Sequence, residues 1–384
     1  MTPAQTAARR SATGTDEIEI RPGKVADIPM LVEVEARCFA TDRLSKRSFH
    51  HLLTRGHTIH LVAEAGGDII GYAIVLLQRG TSLARLYSFA IEPAYRGRGV
   101  GLTLLAEAER RAVEQGCAFM RLEVRPDNAA AVARYRAAGY QEFGSYQDFY
   151  EDHSDALRME KVLAGTIAPK LAKIPYYPQT VEFTCGPAAL MMAMKALDPK
   201  LPVNRALELR LWRESTTIYM TTGHGGCGPY GLALAAWQRG FAAEVRVNEP
   251  GALFVESVRN KKKREVIRVV EKDFREQTAA AGIPVKNHGL LVRDLVDDLD
   301  HGAIPIVLIS SYHLYGQKAP HWVVLTGYDD RFLYMHDPHI DPAQNRTSGD
   351  AMNVPVTHRD FDLMARYGSG RVRAAVILKR RSSP

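Results

Sequence analysis

Two groups of residues in this sequence have the types and spacing for catalysis. The first is Arg96-Gly97-Arg98-Gly99-Val100-Gly101, lying between an apolar run and a helical pattern. Glycines there remove the side chains that would block close approach of a ligand. A helix start turns N–H groups and positive potential toward a phosphate. The second group is Cys185, with Gln179 six residues before it and His321 and Asp337 far downstream. A cysteine attacks as its thiolate, which a helix N-terminus or a histidine promotes. An aspartate can orient that histidine, and a glutamine amide N–H can face the oxygen that becomes negative.

These residues need elements to position them. Apolar spacing predicts a strand at 18–21, helices at 28–39 and 45–55, and strands at 58–64, 69–77 and 85–91. A helix at 101–115, a strand at 119–124, a helix at 129–138 and strands near 140–150 and 156–161 complete the first half. Residues 163–173 read as a linker. Beyond it come an extended 174–179, a helix at 186–196 with Pro187 in its first turn, and a glycine-rich loop at 221–231 leading into a helix that ends at Arg239. Helices at 258–280 and 290–300 and strands at 304–310, 321–328, 332–336 and 372–378 follow. His321 and Asp337 then sit on a strand pair joined across Asp329-Asp330.

The bulk properties fit a two-domain enzyme. The chain has 384 residues, 46% of them apolar and 24% charged, an ordinary globular mix. Lys and Arg balance Asp and Glu at 21 against 21 in residues 1–165, so the net charge of +7 comes from the remainder. The four cysteines, Cys38, Cys117, Cys185 and Cys227, form no CxxC pair, which points to a reducing, cytoplasmic setting. No apolar run approaches the ~20 residues of a membrane span. Residues 1–16 are expected to be a disordered tail.

The first half resembles the GNAT acetyltransferases over residues 17–162. The family's acyl-CoA loop corresponds to Arg96, Gly99 and Gly101. Leu122-Glu123-Val124-Arg125-Pro126-Asp127-Asn128 and Ala133-Arg134-Tyr135-Arg136-Ala137-Ala138-Gly139-Tyr140 also match, most like the ribosomal-protein alanine N-acetyltransferase branch. The resemblance implies acetyl-CoA as co-substrate and no metal. It places a base at Glu123, an acid at Tyr135, a cofactor or substrate contact at Asn128, and thioester-holding backbone at Phe89, Ala90 and Ile91. Chemically, the acceptor amine must lose a proton and the departing thiolate must gain one.

The second half, over roughly 172–380, resembles papain-like peptidases that trim double-glycine leaders. Cys185-Gly186-Pro187-Ala188-Ala189-Leu190, His321-Trp322-Val323-Val324 and Asp337-Pro338 carry the likeness. The fold class expected is therefore α/β (α+β), with a GNAT domain at 17–162, a linker at 163–173 and a papain-like domain at 174–384. The expected function is acetyl transfer to an amine, with a peptide or protein N-terminus as the expected acceptor, fused to a domain that cleaves or binds peptide. Two alternatives stay open: a transferase with a non-catalytic peptide-binding half, and a peptidase regulated by acyl-CoA. His224, Cys227, His336 and His339 lack standard zinc spacing. The basic run 261–264 is cut by acidic residues, so nucleic acid is not expected as a partner. Cys38 and Cys117 read as packing residues.

Overall fold

The structure, a computed structural model, describes residues 17–219, 225–248, 253–255, 258, 260–341 and 344–381. The chain divides into two compact units, one within the first 163 residues and one dominated by 164–384.

In the first unit the elements are β1 (Glu19–Pro22), α1 (Ile28–Cys38), α2 (Lys46–Arg55), β2 (Thr58–Ala65), β3 (Asp68–Leu77), β4 (Leu83–Ile91), α3 (Val100–Glu114), β5 (Phe119–Val124), α4 (Ala129–Ala137), β6 (Gln141–Tyr146) and β7 (Ala156–Val162). Among the described residues they form a seven-stranded sheet in the order β1-β2-β3-β4-β5-β7-β6. Ile28, Leu31 and Val34 line one face of α1 at helical spacing and pack with Phe49, Leu52, Val62 and Ile74. The Ser45 side chain accepts from the Ser48 N–H and starts α2. Gly99, at φ +85°, turns the chain from its loop into α3 in a conformation that side chains disfavour.

The second unit contains β8 (Lys170–Leu171), α5 (Cys185–Leu197), α6 (Arg205–Ser215), β9 (Thr216–Tyr219), β10 (Gly225–Cys227), α7 (Pro229–Trp237), β11 (Phe241–Val247), α8 (Lys261–Ala280), β12 (Val285–Lys286), α9 (Val292–Asp300), β13 (Ile304–Ser310), α10 (Tyr312–Tyr315), β14 (Pro320–Tyr328), β15 (Phe332–His336), α11 (Ser348–Ala351), β16 (Val354–Thr357), α12 (His358–Met364) and β17 (Ala374–Arg380). Its main sheet runs β12-β11-β17-β13-β14-β15-β16, and β8 adds to the far end of β14. Helices α5 and α7 are apolar on nearly every face and lie buried against this sheet.

The structure departs from the sequence reading in three places. The 163–173 stretch is not featureless, because Leu171 and Lys170 pair with Gly327 and Tyr328. The glycine-rich 221–231 stretch is a loop only in part. Gly225–Cys227 pairs with β9, and α7 already begins at Pro229, a residue suited to a first helical turn. Residues 220–224, including His224, lie outside the described residues. Finally, α6, β9, β11, β12, α10, α11, β16 and α12 form where no element was expected. Asn204 caps α6 by accepting from the Leu207 N–H.

Candidate functional sites

In the first unit the glycine-rich turn is an open cradle. Gly97 and Gly99 have φ of +79° and +85°, and a Cβ on either would meet nothing within 4 Å. Leu102 and Thr103 donate the first helical hydrogen bonds, both to the Gly99 carbonyl. The N–H groups of Val100 and Gly101 come ahead of them, at the positive end of α3, where helices receive anions. Arg96 donates through Nε to the Ile91 carbonyl at 2.9 Å, which ties the loop to the end of β4. The Arg98 guanidinium lies over the Tyr95 ring. Phe89, Ala90 and Ile91 pair with Ala73, Tyr72 and Gly71 of β3, so this stretch of backbone is rigidly held.

Glu123 sits on β5 and is not a solvated carboxylate. Its Oε2 accepts from Arg85 Nε at 2.7 Å, with side-chain exposures of 8% and 6%. Tyr135, on α4, has its phenol pushed up to about 12 by burial, with Arg134 pulling the other way, so it holds its proton at neutral pH. Of Asp127 and Asn128, the two residues whose types suit a helix cap, it is Asn128 that starts α4, its Oδ1 accepting from the Ala131 N–H at 3.2 Å. Tyr150 lies within electrostatic reach of both Glu123 and Tyr135, which gathers these groups in one neighbourhood.

In the second unit, three elements bring distant residues together. Cys185 is the first residue of α5, which packs across β14. His321 lies near the start of β14. In the β14–β15 hairpin Val324 faces His336, so Asp337, one residue on, falls diagonal to His321 on the same face. His321 Nε2 and Asp337 Oδ1 are 2.7 Å apart, both buried. His321 also interacts electrostatically with Cys185, and with Nε2 on Asp337 its Nδ1 is the nitrogen left to face the sulfur. Burial alone would disfavour a charged imidazole. The Asp337 charge and hydrogen bond, with the contact to Cys185, overcome it and raise His321 to about 10. Burial opposes the Asp337 charge too, yet His321, Tyr315 and the His339 N–H hold that carboxyl below the usual range.

Gln179 is anchored beside this pair through its backbone N–H, which donates to the Pro338 carbonyl at 2.8 Å. Its Nε2 donates to the Val181 carbonyl at 3.0 Å, spending one of two amide hydrogens, while Oε1 is buried without a partner. The approach to Cys185 is set by Glu208, which the sequence reading missed. This fully buried carboxylate accepts from the Tyr177 phenol at 2.9 Å, the Thr180 N–H at 2.8 Å and the Thr184 hydroxyl. Its position on the inward stripe with Leu207 and Leu211 was the available signal. Tyr315 and Tyr176 were missed as well. The Tyr315 phenol donates to Asp337 Oδ2, and the Tyr176 phenol donates to the Asp337 carbonyl at 2.9 Å.

The remaining candidates have structural positions. His336 bonds the Ile174 carbonyl through Nε2 and receives the Asn353 N–H on Nδ1. Cys227 is buried, and its carbonyl accepts from Trp322 Nε1. Burial raises the thiols of Cys38 and Cys117, the latter to about 11. Among the described residues no group of three or more His, Cys, Asp or Glu is arranged to hold a metal ion, and no helix is long and apolar enough to cross a membrane.

Comparison with known proteins finds two families on the chain. The Peptidase_C39 like family matches residues 174–379, and the Acetyltransferase (GNAT) family matches residues 28–140. The N-alpha-acetyltransferase RimI of Mycobacterium tuberculosis is 34% identical over 151 residues, covering 38% of this chain and 94% of that protein. The ribosomal protein bS18-alanine N-acetyltransferase of Salmonella typhimurium is 29% identical over 136 residues, covering 35% of this chain and 89% of its own length. Among solved structures, the ribosomal-protein-S18-alanine N-acetyltransferase from Escherichia coli is 25% identical, covers 39% of this chain and 97% of its own, and has a TM-score of 0.36.

Proposed function

We propose, for a chain that belongs to the Peptidase_C39 like family and in its first part to the GNAT acetyltransferases, that one half cleaves a peptide and the other acetylates a peptide or protein α-amine. The reading treats 17–162 as the transferase domain, 163–173 as a connection and 174–384 as a papain-like peptidase domain. It sets both reactions in the cytoplasm, with no metal needed by either.

The observation that carries the peptidase half is the contact of His321 with both Cys185 and Asp337. Cys185, as the thiolate partner of the charged His321, attacks the scissile carbonyl carbon. The oxygen that gains charge is met by the remaining Gln179 amide hydrogen. His321, charged and held by Asp337, gives a proton to the departing nitrogen as the C–N bond breaks. Water, deprotonated by the same imidazole, then releases the acyl group from sulfur, and a free α-amine has been made.

In the transferase half, acetyl-CoA supplies an activated acetyl thioester. The backbone N–H groups of Val100 and Gly101, in the open space left by Gly97 and Gly99, suit its pyrophosphate. The backbone at Phe89, Ala90 and Ile91 orients the acyl end, with Arg96, Arg98 and Asn128 bordering the cofactor. Glu123 accepts the acceptor amine's proton, and Tyr135 gives one to the sulfur that leaves. The two halves then have a chemical connection, since cleavage makes the group that acetylation caps.

A peptide library incubated with the protein and acetyl-CoA, read by mass spectrometry, tests this. Acetylated fragments should form, disappear with Cys185→Ala, and become cut but unacetylated with Glu123→Gln. Acetylated, uncut peptides that persist in Cys185→Ala would overturn the peptidase half.

A further inference from the structure

Asp337 is held at every acceptor it has. Oδ1 takes His321 Nε2 at 2.7 Å and the His339 N–H at 2.9 Å. The carbonyl takes the Tyr176 phenol, and the backbone N–H donates to Ala351 at 2.8 Å. Among the described residues, Oδ2 accepts from the Tyr315 phenol alone. The Tyr315 ring also stands edge-on to His321, 6.1 Å between centroids at 90°, and to His339 at 4.9 Å, while the Arg346 guanidinium lies 4.9 Å from its centre.

The delivery of this phenol is built into the chain between β13 and β14. Tyr315 ends the one-turn helix α10, and Gly316, at φ +73°, reverses the chain immediately after it. The Ser311 hydroxyl and the Gln317 and Ala319 carbonyls lie within hydrogen-bonding distance across the same turn, and the Ala319 N–H donates back to the hydroxyl. A carboxylate can turn about its Cα–Cβ and Cβ–Cγ bonds. With Oδ2 tied, such a turn would break the Tyr315 bond as well as the two on Oδ1.

We infer that Tyr315 is a positioning residue for the cysteine site, fixing which oxygen of Asp337 faces His321 and so the direction in which the imidazole presents Nδ1 to Cys185. The inference rests on the peptidase reading for its function but not for its test. Tyr315→Phe keeps the ring contacts with His321 and His339 and removes only the donor. A buried hydrogen bond to a charged group corresponds to about tenfold or more in rate.

The test uses the full chain with iodoacetamide as the probe, so no peptide substrate is needed. In Tyr315→Phe, Cys185 alkylation at pH 7, followed by peptide mapping, should slow about tenfold. The downfield proton resonance of His321 Nε2–H should broaden or vanish, while the circular dichroism spectrum stays that of the wild type. A purely structural role would lower the melting temperature and leave the rate and the resonance unmoved. A folded Tyr315→Phe protein alkylated within twofold of the wild type overturns the inference. Slow Cys185 alkylation in the wild type itself would instead count against the peptidase reading.

Discussion

His321 and Asp337 share a 2.7 Å hydrogen bond between side chains that are both almost wholly buried. Because the imidazole is raised from 6.5 to about 10, it should remain charged throughout the neutral range. A histidine whose folded value lies above its unfolded one adds its full stability below about pH 6.5. That contribution is lost as pH rises through about 10. Nitrogen-15 NMR of the ring should place the titration near 10 in the wild type and well below that in Asp337→Asn. A wild-type midpoint near 6.5 would show that the pair is not the charged unit described here.

Gly186 sits where no side chain fits easily. A Cβ there would lie 3.2 Å from both Cys227 Cβ and Trp322 Cδ1, and 3.3 Å from Leu232 Cδ1. Overpacking of this kind costs ~1–3 kcal/mol. Gly186→Ala should therefore lower the second unit's stability by that order and shift the adjoining Cys185. Denaturant unfolding and Cys185 alkylation would both register it, and acetyl transfer by the first unit should be unchanged.

Arg85 and Glu123 form an ion pair at 2.7 Å with both side chains more than nine-tenths buried. Replacing one partner of such a pair leaves a buried charge and costs ~3–5 kcal/mol, although other contacts to the pair will moderate it. Glu123→Gln should thus lower stability as well as acetylation. If Glu123 also takes the amine's proton, kcat at a temperature where the variant is fully folded should still fall, by about 100-fold or more. An unchanged kcat in folded Glu123→Gln protein would leave the residue a structural partner of Arg85 alone.

Glu271, on α8, is 1% exposed, and its carboxyl is pushed from 4.5 to about 7 by burial, against the Leu253 N–H and Arg275. The folded state therefore favours the neutral acid. Stability from this group is complete below about pH 4.5 and is lost as pH rises through about 7. Glu271→Gln should match the wild type near pH 4.5 and exceed it by ~3 kcal/mol above pH 8. Denaturation curves at the two pH values measure the difference, and equal curves at both would argue against a buried, titrating Glu271.

Much of both sites was legible because the signals are local. Gly97, Gly99 and Gly101 announce a turn and a helix start within a few residues. Cys185 precedes a helix whose first turn contains proline. The hairpin from His321 to Asp337 follows from two apolar runs separated by Asp329-Asp330. The supports were not legible, because they arise from contacts between distant segments. Tyr315 reaches Asp337 across 22 positions, Glu208 reaches Thr180 across 28, and Arg85 reaches Glu123 across 38. No periodicity encodes such pairings. The 225–231 stretch misled for a related reason: glycines normally signal a loop, but Gly225 and Gly226 are fixed as a strand by Tyr219 and Ile218.

The short strand β8 sets a limit on how this protein can be divided. Leu171 and Lys170 complete the ladder of β14 at Gly327 and Tyr328. Gly327 is so closely covered that a Cβ would fall 2.2 Å from the Lys170 carbonyl oxygen. A fragment begun at Ile174, where the family likeness starts, would leave those backbone groups of β14 bare. Bare strand edges recruit other strands. Such a fragment should self-associate, whereas one begun before Lys170 carries its own edge protection.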